Sequence, residues 1–78
     1  MINKKRIINR KKFGEYLIFH RVSLGFDDIR KYLKILKVSY PTYHDLELGK
    51  SEFISIKLMY KIQLNGRYDK EEFEKFFK

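Results

Sequence analysis

Apolar residues recur at spacings of three and four along most of this 78-residue chain, a spacing typical of helices with one buried face. The first helix is predicted from about Lys12 to Ser23. It ends there because Gly25 follows and tolerates the left-handed backbone at which helices stop. Its buried face is predicted to carry Phe13, Tyr16, Leu17, His20 and Leu24.

A second helix is predicted to begin near Asp27 or Asp28, since either carboxylate can cap free backbone N–H groups. A short turn then leads to a third helix over residues 40–48, with Ser39 as its N-cap. Pro41 falls in the first turn of this helix, where its missing N–H costs little. The second helix is predicted to bury Ile29, Tyr32, Leu33 and Leu36.

Two further helices complete the pattern. The fourth is predicted within Ser55–Leu64, because Asn65 and Gly66 follow it as helix breakers. The fifth begins at Asp69, which stands in the capping-box relation to Glu72. No stretch alternates apolar and polar residues over a useful length, so the predicted fold is all-α, a compact five-helix bundle without a sheet.

The net charge of +8 is unevenly placed along the chain. Residues 1–12 hold six basic groups and no acid, whereas the remainder holds twelve basic and ten acidic groups. The predicted organisation is therefore a basic N-terminal arm over residues 1–11 and a helical domain over residues 12–78. Such an arm suits a polyanion such as nucleic acid, or serves as a solubilising tail. The basic residues of the arm and of the start of the first helix are Lys4, Lys5, Arg6, Arg10, Lys11 and Lys12.

Little in the sequence points to catalysis. The chain has no cysteine and two histidines, no credible Ser/His/Asp set and no Gly-rich phosphate loop, so no enzyme activity, cofactor or metal site is expected. His20 lies on an apolar helix face and is interpreted as a core or boundary residue. No apolar run approaches the roughly 20 residues that span a bilayer, and no signal peptide is evident. A cytoplasmic protein without membrane contact is the expectation.

Three short motifs in order resemble the Cro and lambda-repressor class of helix-turn-helix proteins, the XRE family. The first is Arg21-Val22-Ser23-Leu24-Gly25-Phe26, at the end of the first helix. The second is Val38-Ser39 in the turn, and the third is Glu47-Leu48-Gly49-Lys50 after the third helix. The likeness covers roughly residues 13–77.

The resemblance implies a small phage or mobile-element transcriptional regulator that inserts the helix at residues 39–48 into the major groove of double-stranded DNA. It also implies an ion pair between Arg21 and Glu47 beneath that helix. Lys50 and the basic arm would contact phosphate. Contacts at the reading face would fall to Ser39, Tyr40, Pro41, Thr42, His44 and Asp45.

The sequence departs from the family at several of these positions. Lys37 stands where the family favours Gly in the turn, and Ile29 stands where a polar side chain contacts phosphate. The third helix has no Arg, Lys, Asn or Gln, the side chains that read base edges best. A second hypothesis therefore stays open, in which the same scaffold is a protein-binding inhibitor or antirepressor.

Phe73, Phe76 and Phe77 form an apolar stripe near the C-terminus that allows two interpretations. The stripe packs the last helix onto the first and fourth helices, or it forms the surface of a homodimer. A dimer would let two modules read half-sites about one DNA turn apart.

Overall fold

The computed structural model describes residues 4–78, which form five helices and one small sheet. The all-α prediction is therefore corrected to a mostly helical domain with two short strands. The predicted arm falls partly outside this range, because residues 1–3 are not among those described. The elements are β1 (Lys5–Ile7), α1 (Arg10–Ser23), α2 (Ile29–Leu36), α3 (Tyr40–Glu47), β2 (Phe53–Ser55), α4 (Ile56–Asn65) and α5 (Lys70–Glu74).

The two strands pair antiparallel, with Arg6 opposite Ile54. The other edge of β1 is covered by the C-terminal residues, since the Lys78 N–H donates to the Ile7 carbonyl at 2.9 Å and the Asn9 N–H donates to the Phe76 carbonyl at 2.7 Å. β1 therefore lies between β2 and residues 76–78. Each strand has three residues, too few for a period of two to stand out in the sequence.

From Lys4 onward, the segment predicted to be an arm is part of the folded domain. Residues 5–7 form β1, and α1 begins at Arg10, two residues before its predicted start. The Arg6 guanidinium reaches the C-terminus, where its Nε donates to the Lys78 carbonyl at 3.1 Å. β1 is thus held by β2 along one edge and by residues 76–78 along the other.

Short polar side chains set where most of the helices begin. Asp28 accepts from the backbone N–H of Arg30 at 2.9 Å, and Asp69 accepts from that of Glu72 at 3.0 Å, so both predicted caps form. Ser39 occupies the N-cap position of α3 but makes no side-chain capping bond. Its hydroxyl instead donates to the Thr42 hydroxyl at 2.8 Å.

The buried aromatic residues form two groups. The phenylalanine cluster comprises Phe13, Phe73 and Phe77, with ring centroids 4.9 to 5.4 Å apart. It packs α5 and the C-terminus against α1, and Phe73 and Phe77 are almost fully buried. The dimer interpretation of the C-terminal stripe is not supported, because two of its three phenylalanines are unavailable at the surface. The third, Phe76, is half-buried, and its ring packs at a tilt against the ring of Tyr16, with the two centroids 4.7 Å apart.

The tyrosine cluster comprises Tyr32, Tyr43 and Tyr68, and all three side chains are buried. The hydroxyl of Tyr32 donates to the Gly66 carbonyl at 3.1 Å. His20 lies at the edge of this cluster, with its Nε2 2.7 Å from the same carbonyl and its ring stacked on Tyr68 at 3.9 Å. His20 is therefore a boundary residue with a hydrogen-bond partner.

Candidate nucleic-acid interface

The turn between α2 and α3 has a left-handed residue at its start. Lys37 adopts φ 60° and ψ 40°, a conformation that glycine takes without steric penalty and lysine does not. Its N–H still donates to the Leu33 carbonyl at 2.8 Å, which closes the end of α2. The backbone therefore makes the tight turn between α2 and α3 despite the absence of Gly, at a cost of about 1 kcal/mol.

α3 lies directly against α1 because Gly14 has no side chain. A β-carbon at Gly14 would come within 2.5 Å of the Glu47 carbonyl oxygen and 3.0 Å of that of Leu46. The two backbones could not approach this closely with any other residue at position 14. Gly14 thus determines how closely α3 packs against α1.

A buried ion pair fixes the same junction. Arg21 Nε donates to Glu47 Oε2 at 2.8 Å, and both residues are less than a tenth exposed. The guanidinium also donates to the Phe26 carbonyl at 2.6 Å and to the Asp27 carbonyl at 3.0 Å. The hydrogen bond to Glu47 raises the pKa of Arg21 above its ordinary value. One side chain thus joins α1, the loop before α2 and the end of α3.

Tyr43 lies beside this ion pair on the inner face of α3. Its ring is fully buried, and its hydroxyl has no hydrogen-bond partner among the described residues. Burial raises the pKa of Tyr43 far above 10, and the nearby Glu47 carboxylate raises it further. α3 is therefore anchored from below by one ion pair and one aromatic ring.

The outward side of α3 is open. Tyr40 is 42% exposed and Leu48, which follows the helix, is 52% exposed. The rings of Tyr40 and His44 stack with centroids 5.0 Å apart. The outward side thus offers aromatic, apolar and acidic groups together. The other exposed residues of the predicted reading face are Ser39, Pro41, Thr42 and Asp45.

A groove of about 330 Å³ runs between the start of α2 and the side of α3. Its walls include Tyr40, His44, Arg30 and two carboxylates, Asp27 and Asp28. The carboxylates repel phosphate, and the Asp28 carboxylate already accepts the backbone N–H of Arg30 in the first turn of α2. Ile29 also lines this groove and adds an apolar side chain to its wall.

The basic residues predicted to touch phosphate do not all remain free. Arg6 lies 3.9 Å from Glu74, and Arg10 forms a 3.3 Å ion pair with Glu52. In the described part of the chain, none of the other predicted phosphate contacts forms an ion pair, and each is exposed. These residues are Lys4, Lys5, Lys11, Lys12 and Lys50.

A second groove, of about 450 Å³, brings one of these lysines close to α3. Lys11 lines it together with Leu48, Gly49 and Glu15. The start of α1 and the end of α3 therefore border one surface. Lys5 lies in β1 and Lys4 directly precedes it, and neither residue lines a groove.

α2 and α4 carry further basic residues that were not predicted as part of a binding surface. Neither helix contains an acidic residue, although the chain as a whole has ten. The signal was available in the sequence as a count of charges for each helix, rather than for residues 1–12 against the remainder.

No protein-family model, curated protein or solved structure matches the chain. Within residues 4–78, no cluster of three or more His, Cys, Asp or Glu side chains is arranged to hold a metal ion. No helix in that range has the length and apolarity needed to cross a bilayer.

Proposed function

We propose that the chain binds double-stranded DNA through α2 and α3, as a small transcriptional regulator whose third helix enters the major groove. The observation that carries the proposal is the buried Arg21–Glu47 pair, which holds α3 from its inner side while the outer side stays exposed. A helix presented in this way fits the major groove, which is about 12 Å wide.

Free lysines at both ends of the α1–α3 junction support the proposal. Lys50 follows α3, and Lys11 lines a groove with Leu48. Contacts from such side chains to phosphate set the position of a protein on the duplex without reading sequence. Base readout would come from Tyr40, Thr42 and His44, each of which offers one hydrogen bond or one stacking contact. Sequence preference would therefore depend strongly on DNA shape.

Selection from a random duplex pool at about physiological salt tests the proposal. The expected result is an enriched motif that the double variant Tyr40→Ala/His44→Ala relaxes. Phe19→Ala provides the control, because Phe19 is an exposed aromatic residue on α1 that lines neither groove. No enrichment by the unmodified protein would contradict the proposal. An enriched motif that the double variant leaves unchanged would exclude α3 as the reading element.

A protein-binding inhibitor or antirepressor is the second candidate, and the composition of the α3 surface favours it. Tyr40, Pro41 and Leu48 are exposed together with Asp45, and aromatic side chains are enriched at protein interfaces. In this case DNA binding would be weak and unselective. A stoichiometric protein complex would form instead, and Tyr40→Ala would abolish it while Phe19→Ala would not.

A further inference from the structure

α2, the turn after it and α4 carry positive charge without any compensating acid. Together they hold six basic residues, whereas all ten acidic residues of the chain lie elsewhere. In the described part of the chain, none of the six forms an ion pair. They are Arg30, Lys31, Lys34, Lys37, Lys57 and Lys61.

Five of these side chains lie within α2 or α4, and helical spacing places them on the outer faces of the two helices. α2 buries Tyr32, Leu33 and Leu36, so Arg30 and Lys34, four residues apart, project from the opposite side. α4 buries Met59 and Ile62, and its exposed Lys57 and Lys61 repeat the same spacing.

α2 and α4 are neighbours in the fold, and we name their two outer faces together the α2–α4 face. α2 packs against α4, and the Asn65 amide of α4 donates to the Leu36 carbonyl of α2 at 3.0 Å. α3 packs against α1 and α2. Arg30 lines the groove beside α3, whereas Lys34, Lys57 and Lys61 line neither groove.

The positive charges on the neighbouring helices α2 and α4 repel each other, and the binding of a polyanion relieves this repulsion. Tyr60 is 43% exposed and lies on α4 between Lys57 and Lys61. Tyr hydroxyls are among the groups that donate to phosphate oxygens. The face therefore combines several free cations with a neutral donor.

We propose that the α2–α4 face binds the phosphate backbone of DNA. This inference rests on the proposed function and extends it by assigning a second contact surface beside α3. Each phosphate contact releases bound counterions, so the plot of log K against log salt steepens by about 0.9 for each contact to a duplex. The slope therefore counts the contacts.

The test compares two variants that lose the same charge. Lys34→Gln/Lys57→Gln/Lys61→Gln removes three lysines of the α2–α4 face, and Lys70→Gln/Lys75→Gln/Lys78→Gln removes three exposed lysines near α5. Binding of a mixed-sequence duplex is measured by fluorescence anisotropy between about 50 and 200 mM salt. The first variant is expected to lower the slope by about 2.7, and the control variant to leave it nearly unchanged. Circular dichroism checks that both variants fold.

The outcomes separate this inference from the proposed function. An unmodified protein that does not bind the duplex at any of these salt concentrations would overturn both. If the protein binds but the two variants lower the slope equally, net charge alone accounts for the binding and this inference fails. If polyglutamate displaces the duplex as effectively as unlabelled duplex, the face recognises acidic groups in general rather than phosphate, and the inference again fails.

Discussion

The two aromatic clusters of the core differ in the kind of interaction that holds the neighbouring helices together. The phenylalanine cluster joins α1 to α5 and the C-terminus through apolar contact alone. The tyrosine cluster lies under α2 and α3 and includes the buried hydroxyls of Tyr43 and Tyr68, next to the Arg21–Glu47 pair. The orientation of α3 thus depends on the directional hydrogen bonds of that ion pair, because the loss of one partner would leave a buried charge unpaired.

The largest expected effect comes from Arg21→Met. The change leaves the Glu47 carboxylate buried without its cation, so the free energy of unfolding should fall by about 3–5 kcal/mol. Denaturation in urea measures the loss. Arg10→Met is the matched control, because its ion pair with Glu52 is exposed and contributes less than about 1 kcal/mol. Equal losses in the two variants would show that the Arg21–Glu47 pair contributes no more than a surface pair.

Gly14→Ala should have the next largest effect. The added methyl group meets the Glu47 and Leu46 carbonyl oxygens, so α3 must move away from α1, at a cost of about 1–3 kcal/mol. Thermal unfolding measures the change, and Glu15→Ala, at the exposed neighbouring position, is the control. Unchanged stability in Gly14→Ala would contradict the close approach of the two helices.

Alkaline pH should act through the tyrosine cluster, because the phenylalanine cluster has no ionisable group. Burial raises the pKa of Tyr32, Tyr43 and Tyr68 above 10, the value of a free tyrosine. Their contribution to stability is therefore complete below pH 10 and is lost as the pH rises further, by up to about 1.4 kcal/mol per pH unit for each tyrosine. The phenolate absorbance of these three buried tyrosines should appear together with the loss of helical circular dichroism. Ionisation of all six tyrosines near pH 10, with the helices still intact, would contradict this expectation.

The smallest effects concern single hydroxyls and should have opposite signs. Tyr32→Phe loses the hydrogen bond to the Gly66 carbonyl and should lower the free energy of unfolding by about 1 kcal/mol. Tyr43→Phe removes a buried hydroxyl that has no partner in the described residues, and should raise it by about 1 kcal/mol. Urea denaturation of the two variants side by side measures both. Losses in both variants would mean that the Tyr43 hydroxyl is satisfied.

The helices could be predicted from the sequence because their signals are local. Asp28 and Asp69 begin α2 and α5 as their capping potential indicates. The sheet could not be predicted, because Lys5–Ile7 and Phe53–Ser55 are far apart in the chain and each is too short to show a pattern. Their pairing depends on tertiary contacts that no local propensity encodes.

The candidate site was predictable in its framework and less so in its surface charge. The resemblance pointed to the Arg21–Glu47 pair, which the structure contains. Counting charges by position drew attention to the N-terminal segment, yet Arg6 and Arg10 of that segment have acidic neighbours in the fold. Which cations stay unpaired depends on residues distant in sequence, such as Glu52 and Glu74.

The position of β1 between β2 and the C-terminal residues has a consequence for the order of folding. The Ile7 carbonyl accepts from the Lys78 N–H, so the contact joins residues about seventy positions apart. Contacts of such high sequence separation are slow to form, because a long loop must close first. During synthesis β1 emerges before residues 76–78, so its second edge stays unpaired until those residues have left the ribosome.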